Sequence, residues 1–362
     1  MNILFYIGSL NSGGAERVIC NLSNYLSDKH EVEIITTSFF NNSYYKLRKK
    51  IVIKSLDNNK NTKNFFLKNI KRIYRLKKYI KDIKPDIIVS FLPEQNYRIL
   101  FLKRILNIPV IVSERSDPNE MYKKFIFKKL MKILYPKANG YVFQTEKVKE
   151  YFLEMGMQEK KATVIANPLN KEFVNSVYFG SREKTIVSVG RLEEVKNFKL
   201  LIEAFLEVRK EFKEYQLIIY GEGTLHKQLN DFVKHLGLNG SVFLPGNKNN
   251  IKKHIEKATL FVLTSNYEGL PNALMEALAL GIPSISTDCA SGGPRSLIKE
   301  GYNGFLVPVG GKEELIKKML YLLRENKLRE TISENAYKSM KKYQPEIIYN
   351  EWEKFIFDIS NR

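Results

Sequence analysis

The chain has 362 residues, of which 44% are hydrophobic and 27% are charged, as is typical of a globular protein with two domains of ordinary size. Its net charge of +20 suggests an anionic partner, unless the lysines are merely solvated, and its two cysteines, Cys20 and Cys289, exclude a disulfide framework. No apolar run approaches the roughly 18 to 20 residues of a membrane-spanning helix, so only peripheral membrane contact is expected.

Short β-branched runs alternate with longer amphipathic stretches in the first half of the chain. Residues 3–7 lack the basic lead-in and cleavage site of a signal peptide, so we expect a first buried strand in a cytoplasmic protein. Further strands are predicted at residues 32–36, 87–90 and 110–113. This alternation predicts an α/β fold with a doubly wound parallel sheet.

A glycine-containing loop follows the first predicted strand, and a helix begins near Ala15, directly after Gly13 and Gly14. Free backbone N–H groups and the helix dipole make such a strand-to-helix turn favourable for phosphate. The spacing is not that of a dinucleotide fingerprint, so a dinucleotide cofactor is not expected. Ordinary turn chemistry is the alternative interpretation of the two glycines.

Two segments of the first half, residues 65–83 and 122–135, combine basic and apolar side chains. The apolar stripes are Phe66, Ile70, Ile73, Leu76 and Ile80 in the first segment, and Phe127, Leu130, Met131 and Leu134 in the second. Helices of this kind bind anionic lipid, although packed helices with solvated outer faces are an equal alternative. No DNA- or RNA-binding motif accompanies them, so nucleic acid is not an expected partner.

The strand pattern restarts in the second half, which predicts a second doubly wound domain. Its predicted strands are residues 185–189, 217–220, 242–244, 260–263, 284–286 and 304–307. Residues 167–184 lack periodicity, and we place the domain boundary there, with domains of 1–170 and 171–345. A last helix over 346–359 is predicted to cross back onto the first domain, the alternative being a terminal helix of the second.

Two basic residues follow the first strand of the second half, Arg191 and Lys196. A guanidinium and an ammonium five positions apart at the carboxyl edge of a sheet can grip adjacent phosphates of a diphosphate. The alternative is a pair of solvated cations beside Glu193 and Glu194.

The strongest local feature is the segment of residues 267–283, where a glycine–proline loop carries Glu268 and a helix begins near Asn272. Glu276 lies about one turn inside this otherwise apolar helix, and a buried carboxylate needs a hydrogen-bonding partner. Ribose hydroxyls would satisfy it, as acidic residues do in other nucleotide sites. A bond to a backbone N–H or to a basic residue is the alternative.

These motifs together resemble the family-four retaining glycosyltransferases of the GT-B type, including those of bacterial surface polysaccharide and lipid-linked glycan assembly. The resemblance covers nearly the whole chain. It rests on the loop of residues 13–17, Gly190 and Arg191 with Lys196, Glu268 and Glu276 with seven residues between them, and residues 281–283. It implies two facing Rossmann-like domains, a nucleotide-sugar donor between them, and retention of anomeric configuration.

The resemblance also assigns roles to individual residues. Arg191 and Lys196 would hold the donor diphosphate, and Glu276 the ribose. The remaining donor-binding residues would be Gly13 and Gly14 at the diphosphate, Asn247 and Ile251 at the base, and Glu268, Gly269, Leu270, Pro271 and Asn272 at the donor sugar and phosphate.

One position departs from the family pattern. Many members have a histidine after the strand that corresponds to residues 110–113, whereas this chain has Glu114 and Arg115 there. Our hypothesis is that Glu114 orients the acceptor hydroxyl or the donor sugar, with Arg115 nearby. The alternative is a surface ion pair.

Metal catalysis is not expected, because the chain has no Asp-x-Asp pattern and no histidine cluster. Leaving-group charge would then be met by Arg191, Lys196 and helix N-termini. The predicted catalytic residues are Glu268, Glu114, Arg191 and Lys196. No cofactor is expected beyond the nucleotide-sugar donor.

The predicted function is retaining, metal-independent transfer of an N-acetylhexosamine or hexose from a UDP-sugar to a polyprenyl-diphosphate-linked saccharide. The predicted location is the inner face of the cytoplasmic membrane, held there by anionic lipid. Three alternatives remain open: a transferase for soluble sugar or protein acceptors, a GT-B nucleotide-sugar epimerase, and a non-catalytic binding protein of the same fold.

Overall fold

The computed structural model describes residues 1–11, 13–39, 45–57, 65–178 and 180–361. Ser12 of the glycine loop and the side chain of Phe66 therefore lie outside the described residues. The chain divides into a first unit, Met1–Pro168 with Glu346–Arg362, and a second unit, Leu169–Pro345. The boundary lies two residues before the one predicted at residue 170.

The first unit contains a seven-stranded parallel sheet in the order β3-β2-β1-β4-β5-β6-β7. Its strands are β1 (Asn2–Ile7), β2 (Glu31–Thr36), β3 (Val52–Ser55), β4 (Ile87–Phe91), β5 (Val110–Ser113), β6 (Gly140–Phe143) and β7 (Ala162–Val164). Its helices are α1 (Gly14–Leu26), α2 (Phe65–Ile83), α3 (Pro93–Leu106), α4 (Pro118–Met121), α5 (Phe125–Leu134) and α6 (Glu146–Glu154). The central strands β4 and β5 are mostly apolar and are buried along their whole length, because helices cover both faces of a parallel sheet.

Three strands of this sheet were not predicted from the sequence: β3, β6 and β7. β3 and β7 are edge strands of only four and three residues, without a fully buried side chain to give a clear pattern. β6 begins at Gly140, where a Cβ would lie 3.0 Å from the ring of Phe355. Glycine at this position therefore reflects close packing of the last helix, and it reduces the strand signal of the sequence.

The second unit contains a six-stranded parallel sheet in the order β10-β9-β8-β11-β12-β13. Its strands are β8 (Glu183–Val189), β9 (Gln216–Tyr220), β10 (Val242–Phe243), β11 (Ala258–Leu263), β12 (Ser284–Thr287) and β13 (Phe305–Val307). Its helices are α7 (Phe198–Glu211), α8 (His226–His235), α9 (Ile251–Ile255), α10 (Asn272–Ala279), α11 (Gly293–Leu297), α12 (Lys312–Arg324) and α13 (Asn326–Ser339). All six strands predicted for this half are present, with ends that differ by one or two residues.

The last helix, α14 (Pro345–Ser360), packs on the first unit, which confirms the predicted crossing. Trp352 is fully buried and stacks on Phe91 of β4 with 5.6 Å between ring centroids. Tyr349 packs on Tyr25 of α1 at 5.1 Å. The helix therefore completes the core of the first unit, although it follows the second unit in the chain.

Replacing Trp352 with alanine is expected to lower the free energy of unfolding by about 3–5 kcal/mol, because it leaves a large cavity between α14 and β4. Urea unfolding followed by circular dichroism measures the change. The matched control is Phe357→Ala on the same helix, where the side chain is 54% exposed and the expected change is within about 0.5 kcal/mol. Equal stability of Trp352→Ala and wild type would contradict this role for α14.

The two basic segments form α2 and α5, and their stripes are only partly buried. Leu76 and Ile80 of α2 and Met131 and Leu134 of α5 contact the core, whereas Ile70 is half exposed. None of the helices in the described ranges is long and apolar enough to cross a membrane. The inner faces of both helices are thus packing faces, as the alternative interpretation expected.

Candidate functional site

The strand order of the second sheet reverses direction between β8 and β11. From β8 the chain moves outward through β9 and β10, and it then returns to the other side of β8 to form β11, β12 and β13. Ligands of open α/β sheets bind at such a switch point, in the crevice at the carboxyl ends of the strands. The loop after β8 carries Arg191 and Lys196, and the loop after β11 carries Glu268.

Lys196 and Glu268 are brought together at this switch point. The Lys196 Nζ atom lies 2.5 Å from Glu268 Oε1, and both side chains are mostly buried. The Ser265 hydroxyl donates a second hydrogen bond to the same carboxylate oxygen at 2.6 Å. A cation and an acceptor for hydroxyl groups therefore lie side by side, 72 residues apart in sequence.

Backbone and hydroxyl hydrogen bonds fix the loop that carries Lys196. Asn266 N–H donates to the Val195 carbonyl at 2.8 Å, and the Thr264 hydroxyl donates to the Lys196 carbonyl at 3.0 Å. A Cβ at residue 190 would lie 3.2 Å from Lys196 Cε, so Gly190 leaves room for the lysine side chain to cross the end of β8. The position of the ammonium group is therefore set by the two loops together.

Arg191 lies on the same loop, but its guanidinium is 73% exposed and donates to Glu193 Oε1 at 3.0 Å. This environment agrees with the alternative interpretation of Arg191 as a solvated cation beside a glutamate. The exposed ion pair contributes little stability, so the guanidinium is free to exchange Glu193 for a more strongly charged ligand. Its role at the diphosphate stays a prediction.

The segment after Glu268 is tightly packed and leads into α10. A Cβ at residue 293 would lie 1.6 Å from the Gly269 carbonyl oxygen, so only glycine fits opposite this turn. Leu270 and Pro271 are buried, and α10 begins at Asn272, so its first backbone N–H groups lie directly after the Glu268 loop. A helix N-terminus that follows the Glu268 loop favours a diphosphate.

Glu276 is 7% exposed and lies five residues into α10, among buried apolar neighbours. The burial agrees with the expectation from the sequence that this carboxylate requires hydrogen-bonding partners. Its assignment to the ribose stays a prediction.

The predicted base-contacting residues lie after β10, at the carboxyl edge of the same sheet. The Asn247 N–H donates to Glu222 Oε1 at 3.3 Å, and Ile251 is the first residue of α9. Gly246 has a φ of +75°, and a Cβ there would lie 2.4 Å from the same carboxylate oxygen. β9 separates β10 from β8, so these residues are two strands away from the Lys196 loop.

Gly13 and Gly14 lie in the first unit, where Gly13 precedes the first turn of α1. The Gly13 N–H donates to the Tyr45 hydroxyl at 3.3 Å, and that hydroxyl donates to the Gly13 carbonyl at 2.9 Å. A Cβ at residue 13 would lie 2.1 Å from Glu16 Oε2. The side chains of Tyr45 and Glu16 thus lie close to the Gly13 backbone. A contact of Gly13 or Gly14 with the donor phosphate stays a prediction.

Sequence reasoning missed three residues that shape the Glu268 loop: Ser265, Ser291 and Gly293. The Ser291 hydroxyl donates to the Glu268 carbonyl, and Gly293 makes the close approach to Gly269. Residues 291–294, Ser-Gly-Gly-Pro, form another glycine-containing strand-to-helix turn. This motif is the sequence signal from which Ser291 and Gly293 could have been predicted. Within the described ranges no group of His, Cys, Asp or Glu side chains could hold a metal ion.

The structure does not support the hypothesis for Glu114. The residue is 2% exposed, and its Oε1 atom accepts hydrogen bonds from Asn96 Nδ2 at 2.9 Å, from the Tyr122 hydroxyl at 3.0 Å and from the Tyr135 hydroxyl. The carboxylate therefore points into the core of the first unit, toward a polar cluster that it shares with two tyrosines. Its burial also rules out the alternative of a surface ion pair.

Arg115 is buried beside it, and its guanidinium lies against two aromatic rings. Its guanidinium carbon lies 4.8 Å from the Phe91 centroid and 5.2 Å from the Trp352 centroid, and Nη1 donates to Asn167 Oδ1 at 3.0 Å. Burial lowers the pKa of Arg115 to about 9, an effect that the Glu114 charge opposes. Arg115 thus joins β5 to α14 and has a packing role.

The buried Glu114 predicts a pH dependence of stability. Burial raises the pKa of Glu114 from 4.5 to about 7, although hydrogen bonds from Tyr135, Tyr122 and Asn96 and the Arg115 charge lower it. Between these two values the native carboxyl keeps a proton that the unfolded chain has lost. The free energy of unfolding should therefore fall by about 3 kcal/mol as pH rises through this window, and stay level above it.

Glu114→Gln should remove this contribution, so the variant gains stability relative to wild type as pH rises from about 5 to about 8. Urea unfolding followed by the fluorescence of Trp352, the only tryptophan, measures both proteins in the unit concerned. A stability difference that does not change across this range would contradict a carboxyl that titrates near neutral pH.

Two family models match the chain. The model for glycosyl transferases group 1 matches residues 170–339, and the model for glycosyltransferase family 4 matches residues 12–173. A Campylobacter jejuni relative is 32% identical over all of this chain and 99% of its own length. The chain belongs to the family-4 glycosyltransferases. The resemblance to the family-four glycosyltransferases is thereby confirmed, and the protein is a glycosyltransferase enzyme.

The Campylobacter relative of this glycosyltransferase is a GalNAc-α-(1→4)-GalNAc-α-(1→3)-diNAcBac-PP-undecaprenol α-1,4-N-acetyl-D-galactosaminyltransferase. A second relative, the lipopolysaccharide 1,6-galactosyltransferase of Salmonella typhimurium, is 27% identical over 86% of this chain and 87% of its own length. Both relatives are bacterial glycosyltransferases.

Solved structures show the same fold. The lipopolysaccharide outer core galactosyltransferase WaaB in its apo form has a TM-score of 0.79 at 22% identity, over 99% of both chains. Anabaena HepE in complex with UDP has a TM-score of 0.83 at 16% identity, over 99% of this glycosyltransferase and 100% of HepE. The predicted GT-B fold class is therefore confirmed.

Proposed function

We propose that this glycosyltransferase transfers an N-acetylhexosamine or hexose from a UDP-sugar to a polyprenyl-diphosphate-linked saccharide, with retention and without a metal ion. The observation that carries the proposal is the Lys196–Glu268 pair at the switch point of the second sheet. It combines a cation for a diphosphate with a carboxylate for sugar hydroxyls. UDP as the nucleotide is supported by HepE, whose fold is shared and whose structure contains UDP.

The proposed chemistry needs only groups of the donor, the acceptor and this chain. The acceptor hydroxyl oxygen bonds to the anomeric carbon as the bond from that carbon to the β-phosphate oxygen breaks. UDP departs from the same face and takes the acceptor proton on a β-phosphate oxygen, which gives retention. Lys196 and Arg191 stabilise the negative charge that develops on this leaving group.

Glu268 and Glu276 orient the donor in this proposal. Glu268 accepts hydrogen bonds from hydroxyls of the transferred sugar, and Glu276 accepts them from the ribose. The backbone of Gly269 to Asn272 contacts the donor sugar and phosphate. Gly13 and Gly14 act at the diphosphate, and Asn247 and Ile251 at the base.

The acceptor is proposed from the relatives and from charge. The Campylobacter relative is named for a PP-undecaprenol-linked acceptor, and it matches this chain over its full length. The net charge of +20 would attract both a diphosphate-linked acceptor and an anionic membrane surface. We therefore place the reaction at the inner face of the cytoplasmic membrane.

The test begins with a thermal-shift screen of UDP- and GDP-sugars, because a ligand at a hundred times its dissociation constant adds about 2.7 kcal/mol to the native state. The stabilising donor is then incubated, with EDTA present, with a synthetic polyprenyl-diphosphate saccharide. The expected product is a lipid-linked glycan one residue longer, with the anomeric configuration of the donor.

Other outcomes would contradict the proposal in distinct ways. Loss of activity in EDTA that Mg²⁺ restores would contradict metal independence. Conversion of the donor into an isomeric nucleotide sugar without acceptor would indicate an epimerase. Transfer to free sugar or protein, with no transfer to the lipid-linked saccharide, would indicate a soluble-acceptor transferase.

A further inference from the structure

A cleft of about 680 Å³ lies at the carboxyl ends of β11, β12 and β13 in the second unit, and we call it the β12–β13 cleft. Its volume is within the range of small-molecule sites, roughly 300–1,000 Å³, and ligands of open α/β sheets bind at this edge. The described residues of its lining include none of those predicted for the donor. The lining combines polar and apolar side chains, among them Asn266, Asp288, Arg295, Glu300, Pro308 and Val309.

An arginine–carboxylate pair contributes both hydrogen-bond donors and acceptors to the β12–β13 cleft. Arg295 Nε donates to Asp288 Oδ1 at 3.1 Å, and Arg295 Nη2 donates to Asp288 Oδ2. The Arg295 side chain is 65% exposed, so the remaining N–H groups of its guanidinium can reach a ligand. Charged donors and acceptors of this kind bind hydroxyl groups more strongly than neutral ones do.

Glu300 closes the edge of the sheet beside the cleft. β13 is the last strand in the sheet order, and its Leu306 N–H donates to Glu300 Oε2 at 2.7 Å. Lys318 Nζ lies 2.9 Å from the other oxygen of the same carboxylate. A peptide that added a strand to this edge would need the Leu306 N–H. The arrangement therefore disfavours a peptide as the occupant of the cleft.

The charge of the lining favours an uncharged ligand. Two acidic residues, Asp288 and Glu300, face one basic residue, Arg295, in a chain with a net charge of +20. A phosphate or another anionic group is disfavoured beside this lining. Both carboxylates already pair with cations, so a metal ion or a cationic ligand gains little there. A sugar fits instead, because its hydroxyls suit the polar groups and its ring carbons can pack on Val309, which is 42% exposed.

Asn266 connects the β12–β13 cleft to the loop that carries Lys196. The Asn266 N–H donates to the Val195 carbonyl at 2.8 Å, and its Nδ2 donates to the Glu194 carbonyl at 3.3 Å. Its Oδ1 accepts a hydrogen bond from Asn197 Nδ2 at 3.2 Å. A ligand that contacts Asn266 in the cleft therefore also restrains the loop of residues 194–197.

We propose that the β12–β13 cleft is a second saccharide site, which binds an uncharged sugar residue of the acceptor's glycan chain and raises the affinity for the donor through Asn266. The proposal rests on the proposed function only in that the acceptor is a saccharide. Asp288 accepts hydrogen bonds from sugar hydroxyls, Arg295 donates hydrogen bonds to them, and the sugar ring packs on Val309. Because linkage is reciprocal, UDP raises the affinity for the saccharide by the same factor.

The test is saturation-transfer NMR titration of the whole chain at saturating UDP, with N,N′-diacetylchitobiose as the N-acetylhexosamine probe and maltose as the hexose probe. The wild type is expected to bind at least one of them. The double variant Asp288→Ala/Arg295→Ala should bind that disaccharide at least about tenfold more weakly. The matched control is Glu211→Ala/Arg324→Ala, which removes another exposed arginine–carboxylate pair of the second unit and should bind like wild type.

Val309→Trp is a second variant, which fills the cleft without removing a polar group and should weaken binding to a similar extent. Equal binding by wild type and both of these variants would overturn the second site, as would the absence of disaccharide binding to wild type. Equal affinity for the disaccharide and for its monosaccharide, N-acetylglucosamine or glucose, would assign the cleft to a free sugar and overturn the glycan chain as its occupant.

The link to the donor site has its own measurement. In wild type, but not in Asp288→Ala/Arg295→Ala, the bound disaccharide should slow amide exchange in residues 194–197 without UDP and raise UDP affinity at least about fivefold. Unchanged exchange and UDP affinity would overturn the link through Asn266. Transfer assays separate the two proposals. Transfer to the lipid-linked acceptor without disaccharide binding at the cleft rejects the second site alone, and disaccharide binding there without transfer rejects the proposed function alone.

Discussion

Replacing Lys196 with alanine is expected to lower kcat/KM for the donor by about 100- to 1000-fold. Lys196 is the mostly buried cation of the candidate site, held over the end of β8 by the Thr264 and Asn266 loop. In a metal-independent reaction its charge has to stabilise the departing diphosphate in a partly desolvated site, where a fixed charge acts strongly. Steady-state kinetics over a range of donor concentrations measures the effect.

The matched control for this variant is Lys184→Ala. Lys184 lies near the start of β8, at the opposite edge of the same sheet, where it pairs with Glu214 at 3.2 Å. Its removal takes away the same charge without touching the switch point, so kcat/KM should stay close to wild type. Similar kinetics for the Lys184 and Lys196 variants would contradict the assignment of Lys196 to the diphosphate.

Glu268→Gln is expected to act in opposite directions on catalysis and on product binding. Turnover should fall by about 100-fold, because the variant loses the charged acceptor proposed for the hydroxyls of the transferred sugar. UDP should bind several-fold more tightly, since the carboxylate beside Lys196 Nζ no longer repels the diphosphate or competes for the ammonium group. Steady-state kinetics and calorimetric UDP titration measure the two effects.

Glu214→Gln is the control for Glu268→Gln, because it neutralises a carboxylate at the far edge of the sheet that also pairs with a lysine. It should leave both turnover and UDP affinity unchanged. Weaker UDP binding by Glu268→Gln would show that the carboxylate supports the phosphate site rather than competing with the phosphate. Undiminished turnover would exclude its role at the donor sugar.

The second unit was largely predictable from the sequence. Its strands are well separated by helical segments, and Lys196 and Glu268 follow two strands that the doubly wound topology makes neighbours. Their meeting therefore follows from chain order once the sheet is assigned. The hydrogen bonds of Ser265 and Ser291 were not predictable, because they depend on loop conformations that no periodic pattern encodes.

The first unit was less predictable, and Glu114 explains why. A glutamate at the end of a strand is usually exposed, and nothing near it in the sequence indicates that Tyr122 and Tyr135 will enclose it. The enclosure arises because the chain leaves β5, forms α5 and returns with both tyrosines facing the same point. Such a contact depends on tertiary packing, so local sequence suggested an accessible carboxylate instead.

The exposed face of α5 also could not be predicted from local sequence. Helical periodicity correctly selected Met131 and Leu134 as buried, but it also selected Phe127, which is exposed. Phe125 and Ile126 fell outside the predicted stripe and are the most exposed apolar residues of the helix. Periodicity identifies a helix with an apolar side, whereas the neighbouring helices decide which side is covered.

The central claim is that a UDP-sugar binds at the switch point of the second sheet, and hydrogen–deuterium exchange with and without UDP tests it most directly. The predicted result is slower exchange in the loop of residues 190–197 and in residues 265–276, with little change at the opposite edge near Lys184. Slower exchange confined to other parts of the chain, with residues 190–197 and 265–276 unaffected, would contradict the donor site proposed here.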